Sequence, residues 1–237
     1  MLQSKGIETL EELKKYFSNS EKKVDYLLDI LKFFDFKKIH QKLNAIKRQG
    51  SSISSILSVL VILPFLNQAS IHALLRSGSK NMAGGGKDVY YRTKNREDVD
   101  WRGVLTAFVR RFLYIVAKKG DNEGAGPRCL AIDDTYLPKV GTKAEFVSRV
   151  FDHVTHRFLI GMRLLQLCYY DGKSTIPIDF SIHREKGKNA AKPYGLTKKQ
   201  LAEQLKGNRN AGTSADIRAK EVDASKMEVG KAMIKKA

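Results

Sequence analysis

Two long, mostly apolar segments on either side of Asp171-Gly172 constrain this chain most strongly. They run over residues 158–170 and 175–183. Asp and Gly both tolerate positive φ, so the pair predicts a tight turn between two antiparallel strands. Within the second segment, apolar residues fall at every other position: Ile176, Ile178, Phe180 and Ile182. The alternation predicts that this face packs and that the opposite face, with Pro177, Asp179, Ser181 and His183, meets water or a ligand.

A third strand is predicted before this hairpin. The apolar run 129–132 stops at Asp133 and Asp134, which is typical of a buried strand whose end opens into a polar site. Asp134 is expected to point from the end of a central strand into a polar cleft, with Asp133 facing away on an extended backbone. Cys129 and Cys168 lie in apolar strand sequence, so buried thiols in a reducing cytoplasm are expected.

The chain before residue 120 has helical periodicity throughout. Amphipathic patterns cover 7–48, and helices are predicted at 51–66, 70–75 and 99–119. The apolar stretch 53–66 is too short for a membrane span and contains Pro64, so no membrane association is expected. The Gly-rich stretch 120–127 is the predicted boundary between a helical region, 1–120, and a second domain, 128–237.

The charge of the chain predicts an anionic partner. The sequence has 43 Lys and Arg against 25 Asp and Glu, a formal net charge of +18. Nucleic acid is the expected partner; an ordinary solvated basic surface and a ribosome-associated protein are the alternatives. The residues predicted to contact DNA phosphates are Lys37, Lys38, Lys42, Lys47, Arg48, Lys139, Lys186 and Lys188.

The chain after the hairpin is basic and less regular. The segment 184–225 is rich in Lys and Arg, with one short helix predicted at 197–205. A final helix is predicted to begin at a Ser225 cap. The apolar residues that it is expected to bury are Met227, Val229, Met233 and Ile234.

Three blocks of sequence carry a resemblance to a known family. They cover residues 130–141, with Ile-Asp-Asp-Thr-Tyr-Leu-Pro at the centre, 148–157, and 170–188. Together they resemble the bacterial insertion-sequence DDE transposases, of the insertion-sequence-four type. The segments 6–13 and 36–43 resemble the N-terminal region of the same group, so the resemblance covers nearly the whole chain.

This resemblance implies a ribonuclease-H-like domain. Its order is three antiparallel strands, a helix and a parallel fourth strand, with three acids that bind two Mg²⁺ ions. The first acid lies in a short Asp-Thr motif, which matches Asp134-Thr135. Asp134 is therefore the expected catalytic acid and Mg²⁺ ligand, with Asp133 as second choice. The second Asp and the Glu are expected beyond residue 237, so the chain resembles an interrupted or truncated transposase.

The sequence therefore predicts an α+β protein: an all-helical N-terminal region, then the first half of a ribonuclease-H-like domain. The expected function is that of a transposase which binds transposon-end DNA in the bacterial cytoplasm, at the nucleoid. Full-length relatives cut and join DNA, whereas this chain alone is expected to be inactive. The alternative is a non-catalytic DNA-binding protein that competes for transposon ends. The recognised DNA sequence and a homodimer on DNA stay open.

Overall fold

The computed structural model describes residues 41, 43, 44, 46, 49–66, 68–77, 85–118 and 126–237. Within these ranges the protein is α+β, with seven α-helices and one four-stranded antiparallel sheet. Contacts divide the chain into two compact units, Met1–Arg96 and Glu97–Ala237. None of the described helices combines the length and apolar character needed to span a membrane.

The described part of the first unit is helical. It contains α1 (Ile53–Ile62), a 3-10 turn (Leu63–Leu66), α2 (Ile71–Arg76) and α3 (Lys87–Lys94). Serine side chains cap the first two helices, because Ser52 and Ser70 each accept a hydrogen bond from a backbone N–H three residues later. The predictions for 51–66 and 70–75 are confirmed. The predicted helices before residue 41 lie outside the described residues, and α3 was not predicted.

The described part of the second unit contains the sheet and four α-helices. Its elements are α4 (Trp101–Lys118), β1 (Cys129–Pro138), β2 (Ser148–Asp152), β3 (Arg157–Tyr170), β4 (Thr175–His183), α5 (Lys198–Ala202), α6 (Ser214–Glu221) and α7 (Lys226–Lys236). The three predicted strands, α4, α5 and α7 are confirmed, whereas β2 and α6 were not predicted. By its contacts, α4 belongs to the same compact unit as the sheet. The domain boundary predicted at residues 120–127 would instead place α4 in the N-terminal region.

β3 is the central strand of the sheet. β1 pairs antiparallel along one side of it, from Cys129 opposite Tyr170 to Pro138 opposite Gly161. β2 and β4 share its other side. Among the described residues, the outer edge of β1 pairs with no strand. β1 continues to Pro138, so the prediction that Asp134 ends a central strand is wrong: Asp134 lies in the middle of an edge strand.

The described helices that contact the sheet do so on one face. Val229 and Met233 of α7 pack on Leu165 and Leu167 of β3. α4 and α6 contact β4. We call this side of the sheet the helix face. Cys129 and Cys168 lie on the opposite face, where Cys129 is exposed and Cys168 half-buried. The prediction of two buried thiols is therefore wrong, because apolar strand sequence does not say which face is covered.

A β-bulge changes the sidedness of β4. Leu167 pairs with Asp179 and Cys168 with Pro177, so Ile178 is an extra residue opposite this step. Beyond the bulge the alternation is reversed, and Asp179, Ser181 and His183 turn to the helix face. They are buried there. The prediction that these polar residues meet water is wrong for this reason.

Candidate carboxylate site and basic surface

Asp134 lies on the helix face of β1 and contacts two cations. It pairs with Leu165 of β3, whose side chain packs under α7. The ammonium group of Lys226 donates a hydrogen bond to Asp134 Oδ2. Arg163 Nη1 lies 3.5 Å from Asp134 Oδ1. Each carboxylate oxygen therefore faces one positive charge, and the side chain is only 27% exposed.

The start of α7 places Lys226 next to Asp134. Ser225 occupies the N-cap position and Lys226 is the first helical residue. One turn later, Gly230 lies against β1: a Cβ atom there would be 2.8 Å from Ile132 Cδ1. Glycine therefore allows α7 to approach β1 closely, and this approach brings the lysine within reach of the carboxylate.

Arg163 is held in place by several groups besides Asp134. Its Nε donates to Glu185 Oε1 at 3.0 Å, and its Nη2 donates to the carbonyl oxygen of Phe151. The side chain is 8% exposed. A buried guanidinium with two carboxylate partners and a carbonyl partner is both neutralised and fixed in orientation.

Asp133 does not join Asp134 to form a two-carboxylate site. It is exposed on the opposite face of the sheet, and its Oδ1 accepts a hydrogen bond from the backbone N–H of Asp134 at 2.8 Å. The prediction that the two acids face opposite ways is confirmed. The Asp-Asp pair thus places one carboxylate on each side of the strand.

A second buried ion network lies further along the helix face. Arg102 of α4 makes two hydrogen bonds of 2.6 Å to Asp179, and its Nη1 lies 2.8 Å from Glu221 Oε1 of α6. Ser181 donates to Glu221 Oε2 at 3.1 Å. The hydrogen bonds to Asp179 raise the pKa of Arg102 above its ordinary value. The sequence offered no signal for this network, because its members are separated along the chain and meet only through the bulge.

His183 is buried between these two groups of charges. It is 2% exposed, and its ring nitrogens make no hydrogen bond of normal geometry to the described residues. Burial lowers the pKa of His183 below its ordinary value of 6.5, and the Lys226 ammonium lowers it further. The carboxylates of Glu221 and Asp134 act in the opposite direction on this pKa. His183 is therefore held as a neutral imidazole at neutral pH.

The described residues do not fit the Mg²⁺ ions that the family resemblance implies. Within the described part of the chain, no group of three or more His, Cys, Asp and Glu side chains is placed to hold a metal. Asp134, the expected ligand, already faces Lys226 and Arg163. Magnesium sites use oxygen ligands that are free to face the ion. In this arrangement Asp134 is an ion-pair partner of two side chains.

The predicted DNA-binding residues fall into two groups. Lys37, Lys38, Lys42, Lys47 and Arg48 lie outside the described residues. Lys139, Lys186 and Lys188 are exposed and form no ion pair with the described residues. Six further exposed cations lie on the stretches 139–151 and 184–209, the second of which was predicted to be basic. They were not named individually from the sequence: Lys143, Arg149, Lys192, Lys198, Lys199 and Lys206. We call all nine the basic surface.

Direct contacts join the two segments that carry the basic surface. The backbone N–H of Leu205 donates to the carbonyl of Lys143 at 2.8 Å, and Gln204 Nε2 donates to the carbonyl of Val147 at 2.8 Å. The backbone N–H of Glu185 donates to Ser148 Oγ. The two segments that carry these cations therefore lie next to each other in the second unit, beside β2.

Acidic residues within these segments are largely paired. Glu145 accepts from Arg209 Nη1 at 2.8 Å, and this guanidinium holds the pKa of Glu145 below its ordinary value. Glu185 pairs with Arg163. Arg184, which stacks 3.7 Å from the centre of the Tyr194 ring, binds Asp223. These carboxylates thus neutralise arginine side chains that are largely buried. They do not neutralise the lysines of the basic surface, which keep their positive charge.

Comparison of the chain with protein-family models, with curated proteins and with solved structures finds no match. The resemblance to insertion-sequence transposases therefore stays a prediction from the blocks of sequence that carry it. The contacts of Asp134 and the basic surface are the features from which a function for this chain is inferred.

Proposed function

We propose that this protein binds duplex DNA, chiefly through phosphates, and that it is related to the insertion-sequence DDE transposases. The basic surface carries the first part of this proposal. Its lysines are exposed and form no ion pairs with described residues, while the nearby Glu145 and Glu185 are neutralised by arginines. A predominantly positive surface of this kind attracts a polyanion and suits phosphate contacts, which carry no sequence information themselves.

The net charge of +18 extends this attraction beyond the contact residues. Each lysine that neutralises a phosphate releases condensed counterions from DNA. The logarithm of the binding constant then falls with the logarithm of the salt concentration by about 0.9 per phosphate. Strong salt dependence is therefore the expected signature of binding by this surface.

The order of elements in the second unit supports the proposed family relationship. β1, β3 and β4 are antiparallel neighbours in the sheet, with Asp134 of the Asp134-Thr135 motif on β1 and a helix, α7, after β4. This is the order that a ribonuclease-H-like fold requires before its parallel strand. Transposon ends are accordingly the proposed DNA, and Mg²⁺ is the proposed cofactor of the complete family site.

A second function is favoured by the contacts of Asp134. A non-catalytic protein that competes for transposon ends needs cations that bind DNA, but it needs no carboxylate that is free to hold a catalytic metal ion. In this chain the expected catalytic carboxylate faces Lys226 and Arg163. We therefore propose DNA binding without strand cleavage for this chain alone, whichever DNA it recognises.

Fluorescence anisotropy with a labelled DNA duplex tests the basic surface. The variant Lys186→Glu/Lys188→Glu should bind more weakly than the wild type, and its salt slope should fall by about 2 if both lysines contact phosphates. The matched control is Lys173→Glu/Lys231→Glu, which makes the same change of charge. Lys173 lies at the hairpin end of β3, away from β2, and Lys231 lies on α7; both are exposed.

The two double variants separate local contacts from overall charge. A loss confined to the Lys186/Lys188 variant supports the basic surface as the DNA-binding site. An equal loss in both variants, binding that ignores salt, or no binding at low salt contradicts it. Duplexes taken from the DNA on either side of the gene, compared with shuffled duplexes of the same composition, test the recognition of transposon ends.

A further inference from the structure

We infer that the turn between β2 and β3 presents an aromatic platform, formed by Phe151, His153, His156 and Phe158, on which unpaired DNA bases stack. The inference rests on the proposed function, because it names the part of a DNA molecule that binds beside the basic surface. The platform itself depends only on the positions of β2, β3 and the turn that joins them.

The aromatic platform gathers four rings at an exposed end of the sheet. Phe151 is at its centre, and its ring centroid lies 5.0 Å from that of His153, 5.1 Å from that of Phe158 and 6.4 Å from that of His156. Tilted and T-shaped contacts of this kind hold aromatic rings in place. Both histidines are exposed, and Phe158 is 61% exposed. Most of the Phe158 ring is therefore available to a ligand.

The turn that carries these rings is held by Asp152. Its Oδ1 accepts a hydrogen bond from the backbone N–H of Val154 at 3.1 Å. Its Oδ2 accepts from the Thr155 hydroxyl at 2.6 Å and from the Thr155 backbone N–H at 3.3 Å. The bond from the hydroxyl, above all, lowers the pKa of Asp152 below its ordinary value. The turn is thus preformed, and its rings need little ordering when a base binds.

The aromatic platform adjoins the basic surface through Arg149. This residue pairs with Ile160, just as Phe151 pairs with Phe158. Alternation places Arg149 and Phe151 on the same face of β2, about 7 Å apart along the strand. A base next to a phosphate that Arg149 binds is therefore within reach of the rings. Cations that follow the backbone and rings that stack on the bases are the combination by which proteins bind single strands.

Tyr114 of α4 shows that an exposed ring does not make a platform by itself. It is 55% exposed, but the Arg111 guanidinium and the Lys118 ammonium lie 5.5 Å and 5.9 Å from its ring centroid. Cations therefore already engage this ring. Among the described residues, Phe158 contacts another ring instead, that of Phe151. Tyr114 is accordingly the matched control, since it is exposed but is not expected to stack on a base.

Fluorescence anisotropy at low salt tests the inference with two labelled single strands. One is an oligothymidylate, and the other is an abasic strand with the same number of phosphates. The wild type should bind the oligothymidylate at least about fivefold more tightly, which is the lower end of the effect of one stacked base. Phe158→Leu keeps an apolar side chain without the ring and should lose most of this preference. Phe158→Tyr and the control Tyr114→Leu should retain it.

Binding of a blunt duplex separates this inference from the proposed function. Duplex affinity should be the same in the wild type and in all three variants, because the phosphate contacts remain. A wild type that binds the duplex but binds both single strands equally overturns the inference alone, whether or not any variant folds. A wild type that binds neither duplex nor single strands at low salt overturns the proposed function as well.

The variant at Phe158 provides a second decisive result. A folded Phe158→Leu protein, with the circular dichroism spectrum of the wild type, that keeps the full preference for bases overturns the inference. If such a protein instead shows weaker self-association by sedimentation, the aromatic platform docks a second copy of the chain and not a base.

Discussion

Arg102 and Asp179, 77 residues apart in the chain, meet side by side through two parallel hydrogen bonds of 2.6 Å. The pair joins α4 to β4 on the helix face, and both side chains are nearly buried. A planar guanidinium matched to a carboxylate in this way forms two charge-assisted hydrogen bonds, which are shorter and stronger than neutral ones and fix the orientation of both groups.

Removal of one partner of this pair should destabilise the protein strongly. Asp179→Ala leaves the Arg102 guanidinium buried with Glu221 as its remaining partner. The free energy of unfolding should therefore fall by about 3 kcal/mol or more. Urea unfolding at neutral pH measures the effect. The exposed pair of Lys220 and Asp216 on α6 provides the control, because Lys220→Ala should change the unfolding midpoint very little. Similar midpoints for the two variants would contradict this role for Asp179.

His183 should make the stability of the protein sensitive to mild acid. Its pKa is lowered from the ordinary 6.5 in the folded state, chiefly by burial, so the unfolded chain takes up the proton first as the pH falls. The stability present above pH 6.5 is therefore lost progressively between 6.5 and the lower pKa of the folded state. The leucine in His183→Leu takes up no proton. The stability of this variant should therefore decrease less than that of the wild type over the same pH range.

Urea unfolding of both proteins across this pH range provides the measurement. The dependence of the free energy on urea should keep the same slope in both, which shows that the extent of unfolding is unchanged. An identical pH dependence in the wild type and in His183→Leu would show that the buried imidazole is not the group responsible.

The two cysteines should react at different rates with a thiol reagent. Cys129 is exposed, whereas burial raises the pKa of the Cys168 thiol and so reduces its thiolate fraction. Cys129→Ser should remove the fast phase of the reaction with an aromatic disulfide reagent, and Cys168→Ser should retain it. In denaturant both thiols should react at similar rates. A fast phase that survives Cys129→Ser would contradict the placement of the two residues.

The purified chain should not nick or join DNA in the presence of Mg²⁺ or Mn²⁺. The expected catalytic acid, Asp134, is held by Lys226 and Arg163, and Asp133 faces the other side of the sheet. Two-metal chemistry needs several converging carboxylates. A gel assay for nicking of supercoiled DNA compares the wild type with Asp134→Ala. Robust nicking that is lost in the variant would show that Asp134 is part of a working site.

Local signals in the sequence predicted three of the four strands and three of the four α-helices described in the second unit. The Asp171-Gly172 turn is present, with Gly172 at φ 100°, because the requirement for positive φ is local. The final helix begins after Ser225 as predicted and buries Val229 and Met233. Met227 and Ile234, also expected to be buried, are exposed, because α7 meets the sheet through a narrower face than its apolar pattern covers.

Relationships between distant residues could not be predicted in the same way. The motif that contains Asp134 was visible in the sequence, but its cations were not, since Arg163 comes from β3 and Lys226 lies 92 residues away on α7. The thiols and the polar residues of β4 were assigned to the wrong environments for a related reason. Alternation identifies two faces of a strand, whereas only the packed helices decide which face is covered.

The extra residue in β4 decides which side of the sheet receives the charged residues of this strand. Pro177 lies opposite Cys168 and Asp179 opposite Leu167, with Ile178 between them. Deletion of Ile178 would therefore leave Asp179 and His183 on the helix face in a regular strand. A slip by one residue, with Ile178 opposite Leu167, would instead turn Asp179 and His183 outward and bring Phe180 under the helices. Arg102 would then lose its main partner although no charged group had been removed. A single change of pairing at this step is thus enough to cost the protein its buried ion network.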